Sequence, residues 1–142
     1  MRKSKLEKNN NEHEKLELNN DLSDIASKNI LLFGTGKIGR NTCENLVKHT
    51  KHEQITLINR TKEKADELSK EFDTKAFYNY ESLLDEKDLD AVYIPLPNSM
   101  HYEWIKKALE KNLHVLVEKS MTCEFEEVKE LNDLAKEKGL VL

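Results

Sequence analysis

Gly34, Gly36 and Gly39 follow the apolar run Ile30–Phe33 at the spacing G-x-G-x-x-G, with Thr35, Lys37 and Ile38 in the x positions. Behind them Ile38, Thr42, Leu46 and Cys43, Val47 recur at helical spacing. The glycines therefore sit where a buried strand passes into a helix. Each has a separate physical task there. Gly34 takes the tight turn, Gly36 lets a pyrophosphate approach the backbone, and Gly39 lets helix and strand pack closely. The helix N-terminus offers unpaired N–H groups and a positive dipole end to phosphates. A plain tight turn between strand and helix would use the same glycines, but the strand before them and the amphipathic helix behind favour dinucleotide binding. Lys37 does not make this a Walker A loop, because G-x-x-x-x-G-K-[ST] is absent.

Three further stretches carry reactive or charged groups. Asn59 stands twenty residues beyond Gly39, where dinucleotide sites usually hold an acid for the adenosine ribose 2′-OH. Arg60, Thr61 and Lys62 follow, and no carboxylate occurs until Glu63. An arginine there can stack on adenine and pair with a 2′-phosphate, so NADPH is expected over NADH, with NAD still possible. The alternative for Arg60 is a solvated loop arginine. In Pro95-Leu96-Pro97-Asn98, two prolines stiffen the backbone and Asn98 can cap the next helix. His101 falls in the first turn of that helix and reads as a surface histidine, facing the cofactor edge or solvent. Glu118-Lys119 ends an apolar strand, and a lysine there, its pKa lowered by partial burial, can pass the proton that accompanies hydride transfer. The alternative is an exposed ion pair at a strand end. Cys123 precedes Glu124, Glu126 and Glu127, which oppose a thiolate, and reads as incidental.

The elements that must position these groups alternate. Strands are expected over 30–33, 54–59, 75–78, 91–94 and 114–117, with a sixth beginning at 140–142. Helices are expected over 37–49, 62–72, 99–111 and 124–138, with a helical turn at 82–84. The last helix carries Phe125, Val128, Leu131, Leu134 and Ala135 on its apolar face. Alternating units predict an α/β fold: a Rossmann-type, doubly wound parallel sheet in a single domain over 28–142. Its ligand edge is the carboxyl end of the strands, where all the stretches above fall.

The chain has 142 residues, 23 basic and 27 acidic, and a net charge of −4 with the signs interspersed. No basic stripe stands out beyond the N-terminus, which argues against nucleic acid as a partner. Cys43 and Cys123 lie far apart and show neither zinc-site nor disulfide spacing, so no metal is expected and a reducing cytoplasm fits. No apolar run approaches a membrane span. Residues 1–27 read as a polar, disordered tail in which Leu22, Ile25 and Ala26 can form a short helix.

Over 75–142, Asp90-Ala91-Val92-Tyr93-Ile94-Pro95-Leu96-Pro97-Asn98-Ser99-Met100-His101 and His114-Val115-Leu116-Val117-Glu118-Lys119 closely resemble the Gfo/Idh/MocA oxidoreductases. The resemblance implies that Asn98, His101 and Glu118 lie around the nicotinamide end and that Lys119 is the catalytic lysine of a Glu-Lys-Pro motif. Ser120 replaces that proline, so a trans peptide is expected after Lys119. Over 21–65 the chain looks more like the NADPH domain of glutamyl-tRNA reductase, through the stretch 28–40 and Ile58-Asn59-Arg60-Thr61. The two likenesses meet near the second helix, as in a recombined or truncated sequence.

Both likenesses imply one nucleotide-binding unit and a second domain for substrate, which is not found in these 142 residues. The leading expectation is an NADP(H)-binding oxidoreductase domain moving hydride to or from a sugar-like alcohol or carbonyl. Its alternatives are the glutamyl-tRNA reductase domain of tetrapyrrole biosynthesis, which alone would bring tRNA as a partner, and a nucleotide-binding module without turnover. The chain by itself is expected to be inactive, and a homo-oligomer is compatible with it.

Overall fold

The computed structural model describes residues 28–34, 36–51, 54–78 and 88–142. The expectations for the tail 1–27, for Thr35 and for the helical turn at 82–84 lie outside the described residues. The elements run β1 (Ile30–Phe33), α1 (Lys37–Leu46), β2 (Ile55–Ile58), α2 (Lys62–Phe72), β3 (Lys75–Phe77), β4 (Ala91–Ile94), α3 (Asn98–Glu110), β5 (His114–Val117) and α4 (Phe125–Lys138). All strand pairs are parallel, in the order β3-β2-β1-β4-β5. The chain first winds outward from β1 through β2 to β3, then crosses to β4 on the other side of β1. That reversal opens a crevice at the carboxyl ends of β1 and β4.

Strand alternation divides the core in two. Leu31 and Phe33 of β1, with Val92 and Ile94 of β4, face one way and pack against Trp104, Ile105, Leu109 and Leu131 of α3 and α4. The rings of Phe33 and Trp104 lie 5.2 Å apart. Leu32, Leu57 and Tyr93 face the other way, against Cys43 of α1 and Leu68 and Phe72 of α2. The sheet is thus buried on both faces by pairs of helices, which is why its strands are continuous apolar runs rather than alternating ones.

Several expected boundaries shift. Helix α1 stops at Leu46, and 47–49 form a turn in which the His49 N–H donates to Leu46 O and the Thr50 hydroxyl also donates to Leu46 O. Short i→i+3 bonds take up the terminal carbonyls and end the helix there. The buried stripe of α1 is Gly39 and Cys43, which turns Ile38 outward to 53% exposure. On α4, Phe125 lies in the first turn beyond the sheet and is 75% exposed. Strand β5 is an edge, not a buried strand: Leu116 pairs with Tyr93 on the α1–α2 face but lies past those helices and is 65% exposed. No sixth strand forms at 140–142 among the described residues. Val141 O accepts from Val115 N–H, but the Val141 N–H donates to His114 Nδ1 rather than to a strand carbonyl, so no ladder propagates.

Candidate functional site

Gly34 adopts φ +75°, in the left-handed region that disfavours side chains, and its N–H donates to Ile58 O at 2.9 Å. A Cβ on Gly39 would stand 2.4 Å from Gly34 O, so helix and turn touch backbone to backbone. A Cβ on Gly36 would meet nothing within 4 Å. That open space faces outward from the start of α1, whose terminus has no side-chain cap and no acid in its first turn. The positive end of the helix dipole is therefore left for an external anion.

At the end of β2, Asn59 is buried and its side-chain oxygen accepts from the Thr61 N–H at 3.0 Å. The amide thus shapes the loop from within, and Arg60 projects from that loop exposed. A cleft of about 290 Å³ opens here. Gly34, Gly36, Asn59, Arg60 and Lys64 line one side, and Pro95, Leu96, Pro97 and Met100 the other. Among these described residues two are cations and none is a carboxylate.

The ends of β4 and β5 depart from expectation. Pro97, not Asn98, is the N-cap of α3, and Asn98 begins the helix without a side-chain cap bond. His101 is fully buried rather than at the surface, with Nδ1 2.7 Å from Ser120 O and Nε2 2.7 Å from Leu96 O. It lies on the face of α3 that carries Trp104 and Ile105, and so points under the loops. The Glu118 carboxylate accepts a hydrogen bond from the Tyr93 hydroxyl. Burial, and then this contact with Glu118, push the Tyr93 phenol above its ordinary pKa. Lys119 is exposed, against the expected partial burial, because it follows an edge strand. The Lys119–Ser120 peptide is cis, against the expected trans bond. The expectation weighs the bond alone, without the tertiary contacts on either side of it, Glu118 with Tyr93 and Ser120 with His101.

The structure brings Gly34, Gly36, Asn59, Arg60, Pro95 and Leu96 into one cleft. Lys37, Ile38, Gly39, Thr61, Asn98, His101, Glu118 and Lys119 do not line it. Lys64 and Met100 do line it and went unnoticed in the sequence. Lys64 lies in the first turn of α2, four residues after Arg60, and that closeness in sequence could have drawn attention to it. Tyr93 was missed as the partner of Glu118, although the parallel register places both on one face of neighbouring strands. Burial, the Glu44 and Glu71 carboxylates, and the opposing Arg40 together raise the Cys43 thiol to about 11, so it is no nucleophile at neutral pH. Cys123 is exposed just before α4.

Residues 28–142 match Gfo/Idh/MocA, the oxidoreductase family with an NAD-binding Rossmann fold. The chain belongs to this family. The D-xylose 1-dehydrogenase (NADP(+)) 2 of Haloferax volcanii is 35% identical over 112 residues, covering 78% of this chain and 34% of that protein. A crystal structure of a 3-ketoreductase from Actinomadura kijaniata, in complex with NADP and TDP-benzene, superposes with a TM-score of 0.73 at 31% identity. It covers 80% of this chain and 35% of its own. This Gfo/Idh/MocA chain therefore spans about a third of the length of both proteins. The glutamyl-tRNA reductase 2 of Flavobacterium johnsoniae is 78% identical over a short stretch of 49 residues, 34% of this chain and 11% of that enzyme. No described helix is long and apolar enough to cross a membrane.

Proposed function

We propose that this chain is the NADP(H)-binding part of an oxidoreductase that moves hydride to or from a hydroxyl or carbonyl carbon of a sugar-like substrate. One observation carries the reading: the glycine turn and two cations, with no acid among them, line a single cleft at the switch point of the sheet. The backbone of 34–39, including Thr35, Lys37 and Ile38 beside the three glycines, would hold the pyrophosphate at the open terminus of α1. Arg60, on the loop ordered by Asn59, and Lys64, in the first turn of α2, would pair with a 2′-phosphate. Pro95 and Leu96 would wall the dinucleotide on the β4 side, with Asn98 and Glu118 bordering its nicotinamide end. When bound, the nicotinamide supplies or accepts the hydride. Lys119, exposed beyond β5, is the group for exchanging the substrate hydroxyl proton. His101 has no exposed surface and serves this site through the carbonyls it touches. The relatives named for NADP and for sugar substrates support the choice of cofactor and substrate class. The two free thiols suit a reducing cytoplasm.

The 78% identity over 49 residues favours a second reading, the NADPH-binding part of a glutamyl-tRNA reductase. It uses the same cleft and differs in substrate. The family match across 28–142 weighs toward the first.

Titration calorimetry with NADPH and NADH tests the proposal. A charge-assisted contact to the 2′-phosphate contributes about 1.5–3 kcal/mol, so NADPH should bind roughly tenfold tighter or more. The double change Asn59→Asp, Arg60→Ala should reverse the order, and Gly36→Val should abolish binding in a folded chain. Equal affinity for both cofactors, or full affinity in folded Gly36→Val, would overturn the assignment.

A further inference from the structure

His101 is the most deeply buried polar side chain among the described residues, at 0% exposure. Its two ring nitrogens lie 2.7 Å from two different backbone carbonyl oxygens. One carbonyl belongs to Leu96, a wall of the cleft. The other belongs to Ser120, the residue after Lys119. Carbonyl oxygens only accept, so a ring with a single N–H donates to one of the two, and both bonds form only where the ring carries two N–H groups. An imidazole is rigid, and the distance it spans is set by the ring itself. On the far side of Lys119, Glu118 is tied to Tyr93 of β4. Lys119 is thus flanked by two residues, each held by a side chain from β4 or α3, while its own side chain stays exposed.

We propose that His101 is a positioning residue: it clasps the Leu96 turn to the Ser120 turn, so that a dinucleotide seated against Leu96 also sets the place of Lys119. The proposal rests on the NADP(H) reading of the cleft. It gives a role to a buried histidine that cannot touch the ligand. It also says what shapes the turn after Lys119 where no proline ring does so. A purely structural histidine would stabilise the domain without linking cleft occupancy to this turn.

The test uses the 142-residue chain labelled with ¹⁵N, as native protein and as His101→Phe, which keeps a buried ring and removes both polar contacts. In the native chain, NADPH should shift the amides of Lys119, Ser120 and Met121 with the same midpoint as those of Gly36 and Gly39. In His101→Phe, compared at saturating NADPH, the glycine amides should still respond while the response at 119–121 falls by half or more. An undiminished response at 119–121 in that variant overturns the clasp. So does a native chain in which the glycines respond and 119–121 do not. Silence at Gly36 and Gly39 in the native chain instead counts against the NADP(H) site. Hydrogen exchange without cofactor then decides on the clasp. Its loss should raise exchange at 120–122 by about tenfold relative to Leu31 and Leu32. An equal rise everywhere overturns it. If His101→Phe does not fold, His101→Met, which offers no N–H donor, replaces it in both measurements with the same expected directions.

Discussion

Replacing Gly39 by alanine sets two effects of opposite sign against each other. Gly39 lies within α1, where alanine is the better helix former by about 1 kcal/mol. The added methyl, however, would stand 2.4 Å from Gly34 O and 3.1 Å from Gly34 C. Those atoms are backbone, in a turn anchored by the Gly34 N–H bond to Ile58 O, so no flexible side chain can swing away. Overpacking of this kind costs about 1–3 kcal/mol, and a backbone obstacle places it at the upper end. The net expectation is a loss of about 2 kcal/mol. With a typical urea m-value of about 1–3 kcal/mol/M, the unfolding midpoint should fall by roughly 1 M. Gly36→Ala, three residues earlier, meets open space at φ −63° and should lose only the N-cap preference for glycine, about 0.5–1 kcal/mol. Urea unfolding followed by far-ultraviolet circular dichroism measures both. Gly39→Ala as stable as the native chain, or Gly36→Ala equally damaged, would refute the division of labour between the two glycines.

The raised Cys43 thiol gives a pH dependence whose sign can be worked out. Its folded value of about 11 lies above the ordinary thiol value, so the folded state holds the proton longer than the unfolded state does. The contribution is complete below about pH 8.5 and is lost as pH rises toward 11, on the order of 2 kcal/mol; Cys43→Ala should flatten the stability profile across that window. Leu109, fully buried against the sheet, should cost about 2–5 kcal/mol as Leu109→Ala, read as a fall in the thermal midpoint. Hydride transfer needs the reacting carbon about 3–3.5 Å from the nicotinamide. The chain, whose matched part covers about a third of its oxidoreductase relatives, should therefore bind NADPH yet show no sugar turnover in the nicotinamide absorbance assay. Lys119→Ala should leave cofactor affinity nearly unchanged, and robust native turnover lost in that variant would overturn this expectation.

Local pattern was enough to read the parallel α/β fold, the glycine turn and the ends of most elements. Ile30–Phe33 is apolar throughout because both faces of β1 are covered, and three glycines at fixed spacing answer needs that arise within a few residues of chain. These are properties of neighbours in sequence. The surroundings of His101, Lys119, Leu116 and Ile38 come from distant segments, which local pattern does not show. His101 is buried only because Leu96 and Ser120 close over it, and Leu116 is exposed only because β5 ends up outermost. The place of Lys64 and Met100 in the cleft, and the meeting of Tyr93 with Glu118, depend on which strands lie side by side and in what register. The crossovers from β1 and β3 determine that order, and the spacing of residues along any one segment carries no record of it.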